Sequence, residues 1–217
     1  MMLFETTAAV APSVRFGIAI ERKGTTPPLF RQVHGRAVLH VRDAEHANAL
    51  RQSPPEADAG FTRAAGVELS AFSADCVPLL FFGDGPDDPI AAVHSGWRGS
   101  AQGVATATMD ALDVPFDRLQ VVMGPCILGC CFAVRDDFVE SFRSYGHAVE
   151  RWLERRDGLS YFHLDRFLWE TALAAIPERN RHRDAVRCTV CSEPRLPSFR
   201  RDRGTDPTLR AWIRRSA

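Results

Sequence analysis

The chain has no long hydrophobic run, no excess of either charge and no His-x-His pair. No apolar stretch approaches the ~20 residues that a membrane-spanning helix requires, so a membrane partner is not expected. Lys+Arg and Asp+Glu number 27 each, and that zero balance gives no global electrostatic reason to expect nucleic acid. The start, "MMLFETTAAVAPSV", lacks a basic leader region and carries Glu5, which argues against a secretory signal. Without that signal a cytoplasmic location is expected, and the six cysteines read as reduced thiols rather than a disulfide framework. The basic residues near the C-terminus, in "RLPSFRRDRG" and "RAWIRR", read as a solvated face.

The 217 residues, 45% of them hydrophobic and 25% charged, are enough for an ordinary globular core. A chain of this size buries about 70% of its unfolded surface. Short runs rich in Val, Ile, Leu and Phe predict strands over 14–20, 37–41, 67–72, 77–82, 90–94 and 119–123. The turn cluster "GDGPDDP" predicts a hairpin between the runs at 77–82 and 90–94. Helices are predicted over 100–112, 136–145 and 165–176, the last capped by Asp165 and stopped before Pro177. There is no internal repeat, and the segment "RQSPPEADAG" is too short to separate domains. The expected fold is therefore a single α/β (α+β) domain over 1–217, a layered sandwich of mixed sheet covered by helices.

Two strand-like runs carry polar intrusions at their ends. "SADC" places Cys76 at the entrance of one, and "HSGWRG" places His94 at the exit of another. "RQVHG" places His34 before a glycine and a following strand. Two imidazoles and one thiolate make a donor set suited to Zn²⁺. The spacings are far too long for a zinc finger and fit a site assembled from separate loops. Three protein ligands leave a fourth position open, the mark of a catalytic rather than a structural metal. The same atoms admit a second reading, in which His94 activates Cys76 as a nucleophile and Asp75 or another acid orients the histidine. Taken singly, each residue also has an ordinary structural account.

Arg98 stands in "GWRGSAQG", where an arginine beside a helix N-terminus would form a phosphate or carboxylate site. The alternative is a packed Trp97 and a solvated Arg98. Cys188 and Cys191 form a C-x-x-C without a second pair at zinc-ribbon spacing. Those two, with Cys126 and Cys130, read as buried structural thiols. Cys131 is expected nearer the site, brought there by the preceding Gly-Pro turn.

In order along the chain, "RQVHG", "EADAGFT", "SADCVPLL", "AAVHSGWRG", "GPCI…CCFAV" and "SFRRD" resemble the YfiH-like family, also called the laccase-domain or multicopper polyphenol oxidoreductase family. The resemblance runs from about residue 20 to the C-terminus. It implies a single α/β sandwich and one zinc site on His34, Cys76 and His94, with copper the poorer fit. It also implies purine nucleoside phosphorylase activity, with purine nucleoside and phosphate as the partners. Adenosine deamination, with metal-activated water attacking the purine C6, would be a second reaction open to the same site.

Arg22 aligns with an arginine of the family, and Arg98, Arg22, Gln32 and Cys131 are the expected substrate-binding residues. The fold's likeness to toxins with a Cys–His hydrolase pair keeps an amide hydrolase acting on a cell-wall precursor as a rival. A laccase-like oxidase and a degenerate binding protein are further rivals. A multicopper oxidase needs many histidines in H-x-H pairs, and this chain has seven histidines without one such pair. A monomer or weak homo-oligomer is expected. Two departures stand out: the segment before "RQVHG" is shortened, and "CFAV" replaces the family's Cys-Tyr-Glu-Val with Phe132 and Ala133.

Overall fold

The computed structural model describes residues 1–146 and 148–216. It opens with a hairpin, β1 (Met2–Ala8) and β2 (Ala11–Glu21), and continues through β3 (Val38–His40) and helix α1 (Ala44–Gln52). Then come β4 (Ala59–Thr62), β5 (Glu68–Ser73), β6 (Val77–Gly83) and β7 (Ile90–Ser95). Helices α2 (Trp97–Gln102) and α3 (Val104–Leu112) lead to β8 (Leu119–Met123). The second half contains β9 (Ala133–Val134), α4 (Asp136–Ser144), β10 (Leu153–Arg156), β11 (Leu159–Phe162) and α5 (Leu164–Glu170). It closes with β12 (Arg181–His182), α6 (Phe199–Asp202) and β13 (Thr208–Arg215).

The centre is a mixed six-stranded sheet in the order β12-β8-β6-β7-β4-β3. Every residue of β6, β7 and β8 is buried, because both faces of this sheet are covered. The two-residue period of a strand sorts their side chains. Val77, Leu79, Phe81, Ala91 and Val93 join a core with α3, α4 and α5, whereas Leu80, Phe82, Ile90 and Ala92 face the second sheet. That second sheet, β1-β2-β13-β5, is four-stranded and antiparallel. The result is the expected layered α/β sandwich. The predicted hairpin is present, with Phe82 paired to Ile90 and Pro78 to His94.

Three expectations change in detail. The helix predicted over 100–112 is two helices, broken at Gly103 (φ +83), where the left-handed conformation ends α2 before α3 starts. The one predicted over 165–176 stops at Glu170, and a 3-10 turn follows over Ala172–Ala175. The C-terminal basic cluster divides: Arg195, Arg200 and Arg203 are exposed, as a solvated face would be, whereas "RAWIRR" is part of an interior strand. Leu209, Ala211 and Ile213 alternate into the core as part of β13, which lies between β2 and β5. Arg210 on this strand bridges Glu21 at 2.6 Å and Glu68 at 2.5 Å. Arg215 is buried and donates to the Ser13 hydroxyl and the Pro86 carbonyl.

Candidate metal centre

The two-sheet arrangement brings three chain segments to one end of the central sheet. Cys76 lies between the end of β5 and the start of β6, His94 is the penultimate residue of β7, and His34 lies in the loop before β3. Their donor atoms all fall within 4.8 Å of one another, and the Cys76 sulfur is 3.8 Å from His34 Nε2. A tetrahedral Zn²⁺ with bonds of about 2.3 Å to sulfur and about 2.05 Å to nitrogen would hold the two donors roughly 3.6 Å apart. The donor set and its spacing fit zinc.

Asp58 builds the site from beneath. It is fully buried, and its carboxylate accepts the backbone N–H groups of Val33, His34 and Gly35 at 3.2, 2.9 and 2.6 Å. Those bonds fold the loop around the anion and hold His34 in a left-handed conformation (φ 62) that such a residue rarely takes unaided. The same carboxylate lies 2.8 Å from Nδ1 of His94, and the Asp58 carbonyl accepts the His94 backbone N–H at 2.7 Å. With Nδ1 protonated toward Asp58, Nε2 of His94 is the free donor, the arrangement that orients metal-binding histidines.

Electrostatics follow from this geometry. Burial opposes a charged Cys76, but the adjacent His94 charge and hydrogen bonds from both histidines bring its thiol down to about 6. Burial likewise opposes a charged His94, yet the Cys76 thiolate and Asp58 raise it to about 9. Burial also works against ionised Asp58, and the His94 ring with the Gly35 and Val33 N–H groups holds it below the usual carboxylate range. Without metal the pair is a thiolate beside an imidazolium. With metal, the cation takes the proton's place.

Gly96 is a further requirement. A Cβ built there would stand 2.6 Å from Cδ2 of His34 and 3.0 Å from the Cys76 sulfur. Only the bare backbone of the "HSGWRG" turn can pass so close to both ligands.

The acid that orients the histidine is Asp58, and Asp75 has another task. Its carboxylate accepts the Thr189 hydroxyl and the Arg200 backbone N–H, each at 2.6 Å, tying the residue before Cys76 to the C-terminal segment. Asp58 stood in "EADAGFT", where nothing but the family resemblance marks a lone loop aspartate.

The other expected residues have their own surroundings. Arg98 lies exposed in the first turn of α2, its guanidinium 4.2 Å from the Trp97 ring centroid, while Trp97 packs on Phe138 and Phe142. Arg22 is exposed just beyond β2, at the sheet end where Glu21 pairs with Thr208 and Leu209 with Ser73. Gln32 has both ends of its amide occupied by Phe72: Nε2 donates to the carbonyl at 2.7 Å and Oε1 accepts the N–H at 2.8 Å. Cys131 is gathered with Cys130, Cys188 and Cys191 rather than with His34, Cys76 and His94. Of these, Cys130 and Cys191 are exposed and Cys131 is half-buried, so the expectation that Cys130 and Cys191 are buried thiols is corrected. A groove between the β1–β2 hairpin and residues 179–196 is lined by none of the site residues.

Residues 16–214 match the family described as multi-copper polyphenol oxidoreductase laccase. A protein of Aquifex aeolicus (strain VF5) named purine nucleoside phosphorylase is 32% identical over 201 residues, covering 88% of this chain and 90% of its own length. A protein named adenosine deaminase RL5, from an unknown prokaryotic organism, is 30% identical over 182 residues, covering 79% of this chain and 68% of its own. Among solved structures, the YfiH protein of Bacillus licheniformis superposes with a TM-score of 0.81 at 20% identity, over 94% of this chain and 93% of its own. With nearly its whole length matched, and with the His34, Cys76 and His94 segments in the order that the resemblance demanded, the chain belongs to the multi-copper polyphenol oxidoreductase laccase, or YfiH-like, family.

Proposed function

We propose that the protein is a zinc-dependent purine nucleoside phosphorylase, with His34, Cys76 and His94 as the metal ligands. The observation that carries this reading is the convergence of one thiolate and two imidazoles, oriented by buried Asp58, at the open end of the sheet. Bound there, zinc would supply Lewis-acid stabilisation of charge developing on the substrate. The names of the Aquifex relative and of the adenosine deaminase relative support purine nucleosides as the substrate class.

The chain's own residues have assignable parts. Cys76 enters the reaction as a thiolate, and Asp58 keeps the His94 Nδ1 proton in place so that Nε2 points inward. Gln32 is a positioning residue, fastening the His34 loop to Phe72. Arg98 and Arg22 are the cations proposed to hold phosphate against C1′ of the ribose; the N-glycosidic bond then breaks as phosphate oxygen bonds to that carbon, and the purine leaves with the bonding pair. The oxidase reading finds weaker support. Among the described residues, the histidines form one metal-binding group with a single thiolate, too few donors for several coppers.

A second reading has its own observation. Cys76, His94 and Asp58 stand in the order nucleophile, base and orienting acid of a thiol hydrolase, with Cys76 lowered to about 6. One experiment separates the two: product analysis of zinc-loaded protein with adenosine, with and without phosphate. Adenine with ribose 1-phosphate, formed only with phosphate, supports phosphorolysis, and inosine formed without it supports deamination. Absence of both from protein holding zinc overturns the nucleoside reading and leaves the hydrolase or a degenerate binding protein.

A further inference from the structure

The sequence offers one C-x-x-C, at Cys188 and Cys191, and no second copy. The fold supplies the missing pair from elsewhere. The thiols of Cys130 and Cys131, in the turn before β9, meet those of Cys188 and Cys191 so that all four sulfurs lie within 4.8 Å of one another. The Cys130 and Cys191 sulfurs are 3.6 Å apart. Four sulfurs around Zn²⁺ at about 2.3 Å would be roughly 3.8 Å apart. A single disulfide would account for two of these thiols and leave two unexplained.

The surroundings are those of a metal clip. Arg156 donates to the Cys130 carbonyl at 3.0 Å, and Arg201 donates to the Thr189 and Val190 carbonyls at 2.9 and 3.0 Å. Two guanidinium charges therefore flank a centre that would carry a net negative charge. The two loops already meet through a backbone bridge, Cys126 N–H to Arg187 carbonyl and Thr189 N–H to Cys126 carbonyl.

We propose that Cys130, Cys131, Cys188 and Cys191 form a second, structural zinc site, distinct from the His34–Cys76–His94 centre. A tetrahedral four-thiolate set is closed: it offers no open position to substrate, so its task is to hold the chain. What it holds is adjacent to the chemistry. Thr189, inside the C-x-x-C, bonds the Asp75 carboxylate, and Ile127 bonds the Asp75 carbonyl at 2.9 Å. Asp75 has φ 103, an unfavourable conformation that needs such external support, and it immediately precedes Cys76.

The test is metal content and coordination of protein purified under reducing conditions. Wild type is expected to hold two zinc ions per chain, and the His34→Ala/Cys76→Ala variant one. X-ray absorption of that variant should show four sulfur neighbours at about 2.3 Å and no nitrogen. The Cys188→Ser/Cys191→Ser variant should also hold one zinc, with nitrogen neighbours. If this variant does not fold, the measurement on His34→Ala/Cys76→Ala still decides. One zinc in wild type with none in His34→Ala/Cys76→Ala would overturn the proposal, as would a Cys130–Cys191 disulfide in the reduced preparation or a mixed nitrogen shell in that variant.

Discussion

Oδ1 of Asp58 stands 2.8 Å from Nδ1 of His94, and the same carboxylate gathers three successive N–H groups of the loop that carries His34. One buried acid thus positions two of the three proposed zinc ligands. Asp58→Asn keeps the shape but removes the charge that fixes the His94 ring and satisfies those N–H groups. Zinc affinity should fall about 10- to 100-fold, the usual effect of removing an outer partner of a metal-bound histidine. Competition against a chromophoric chelator measures it, with circular dichroism confirming the fold.

The metal-free pair makes a prediction about pH. Cys76 is lowered to about 6 chiefly against the opposition of burial, by the His94 charge and by hydrogen bonds from both histidines. A lowered thiol is reactive above its shifted value and unreactive below it. Alkylation of Cys76 by iodoacetamide should therefore rise with pH through about 6, reaching its plateau where an ordinary cysteine, near 8.5, is still mostly protonated. His94→Ala should move that midpoint upward. Mass spectrometry of the Cys76 peptide follows the rate, and a midpoint left unchanged by His94→Ala would refute the ion pair.

Gly96→Ala tests how tightly the turn encloses the ligands. The added methyl would meet His34 Cδ2 at 2.6 Å and the Cys76 sulfur at 3.0 Å, so the ligands must move apart. Overpacking of this kind costs about 1–3 kcal/mol. Because the clash falls on the ligands, zinc affinity and turnover should fall by at least tenfold, with the far-ultraviolet spectrum preserved. Full zinc affinity in Gly96→Ala would mean that the turn yields more readily than the geometry implies.

Strands β6, β7 and β8 of the central sheet were legible because they are buried on both faces and read as continuous apolar runs, whereas the short β4 and β12 were not. The proposed ligands were legible because polar residues at the ends of such runs need a reason. Strand β13 was not, since arginines at 210, 214 and 215 mask the alternation of Leu209, Ala211 and Ile213. Strand β1 was missed for a different cause: it is a largely exposed edge whose residues show no alternation. Asp58 and the four-cysteine cluster depend on contacts between distant segments, which spacing along the chain does not encode.

Arg98 separates binding from chemistry. It is exposed and stacks on Trp97, so its removal should leave the core and the proposed metal ligands intact. If it holds phosphate, Arg98→Ala should raise KM for phosphate about tenfold while KM for nucleoside changes little, and Arg98→Lys should recover part of the loss. Equal KM values in wild type and variant would assign phosphate to other residues and leave Arg98 a solvated side chain.

Arg210 tests the sheet that the basic tail forms. Its side chain is 13% exposed and contacts Glu21, itself 11% exposed, and Glu68. Truncation to alanine leaves the Glu21 carboxylate with no cation in a nearly closed space, an outcome that costs about 3 kcal/mol when a buried pair is broken from one side. Arg214→Ala is the control, on the same strand but without an ion pair among the described residues, and should change stability by no more than about 0.5 kcal/mol. Urea unfolding of the two variants compares them directly. Similar, small shifts in both midpoints would restore the solvated-face reading of the C-terminal arginines. A large shift in Arg210→Ala alone shows that the basic tail is an interior strand, and that its arginines lock β13 to β2 and β5.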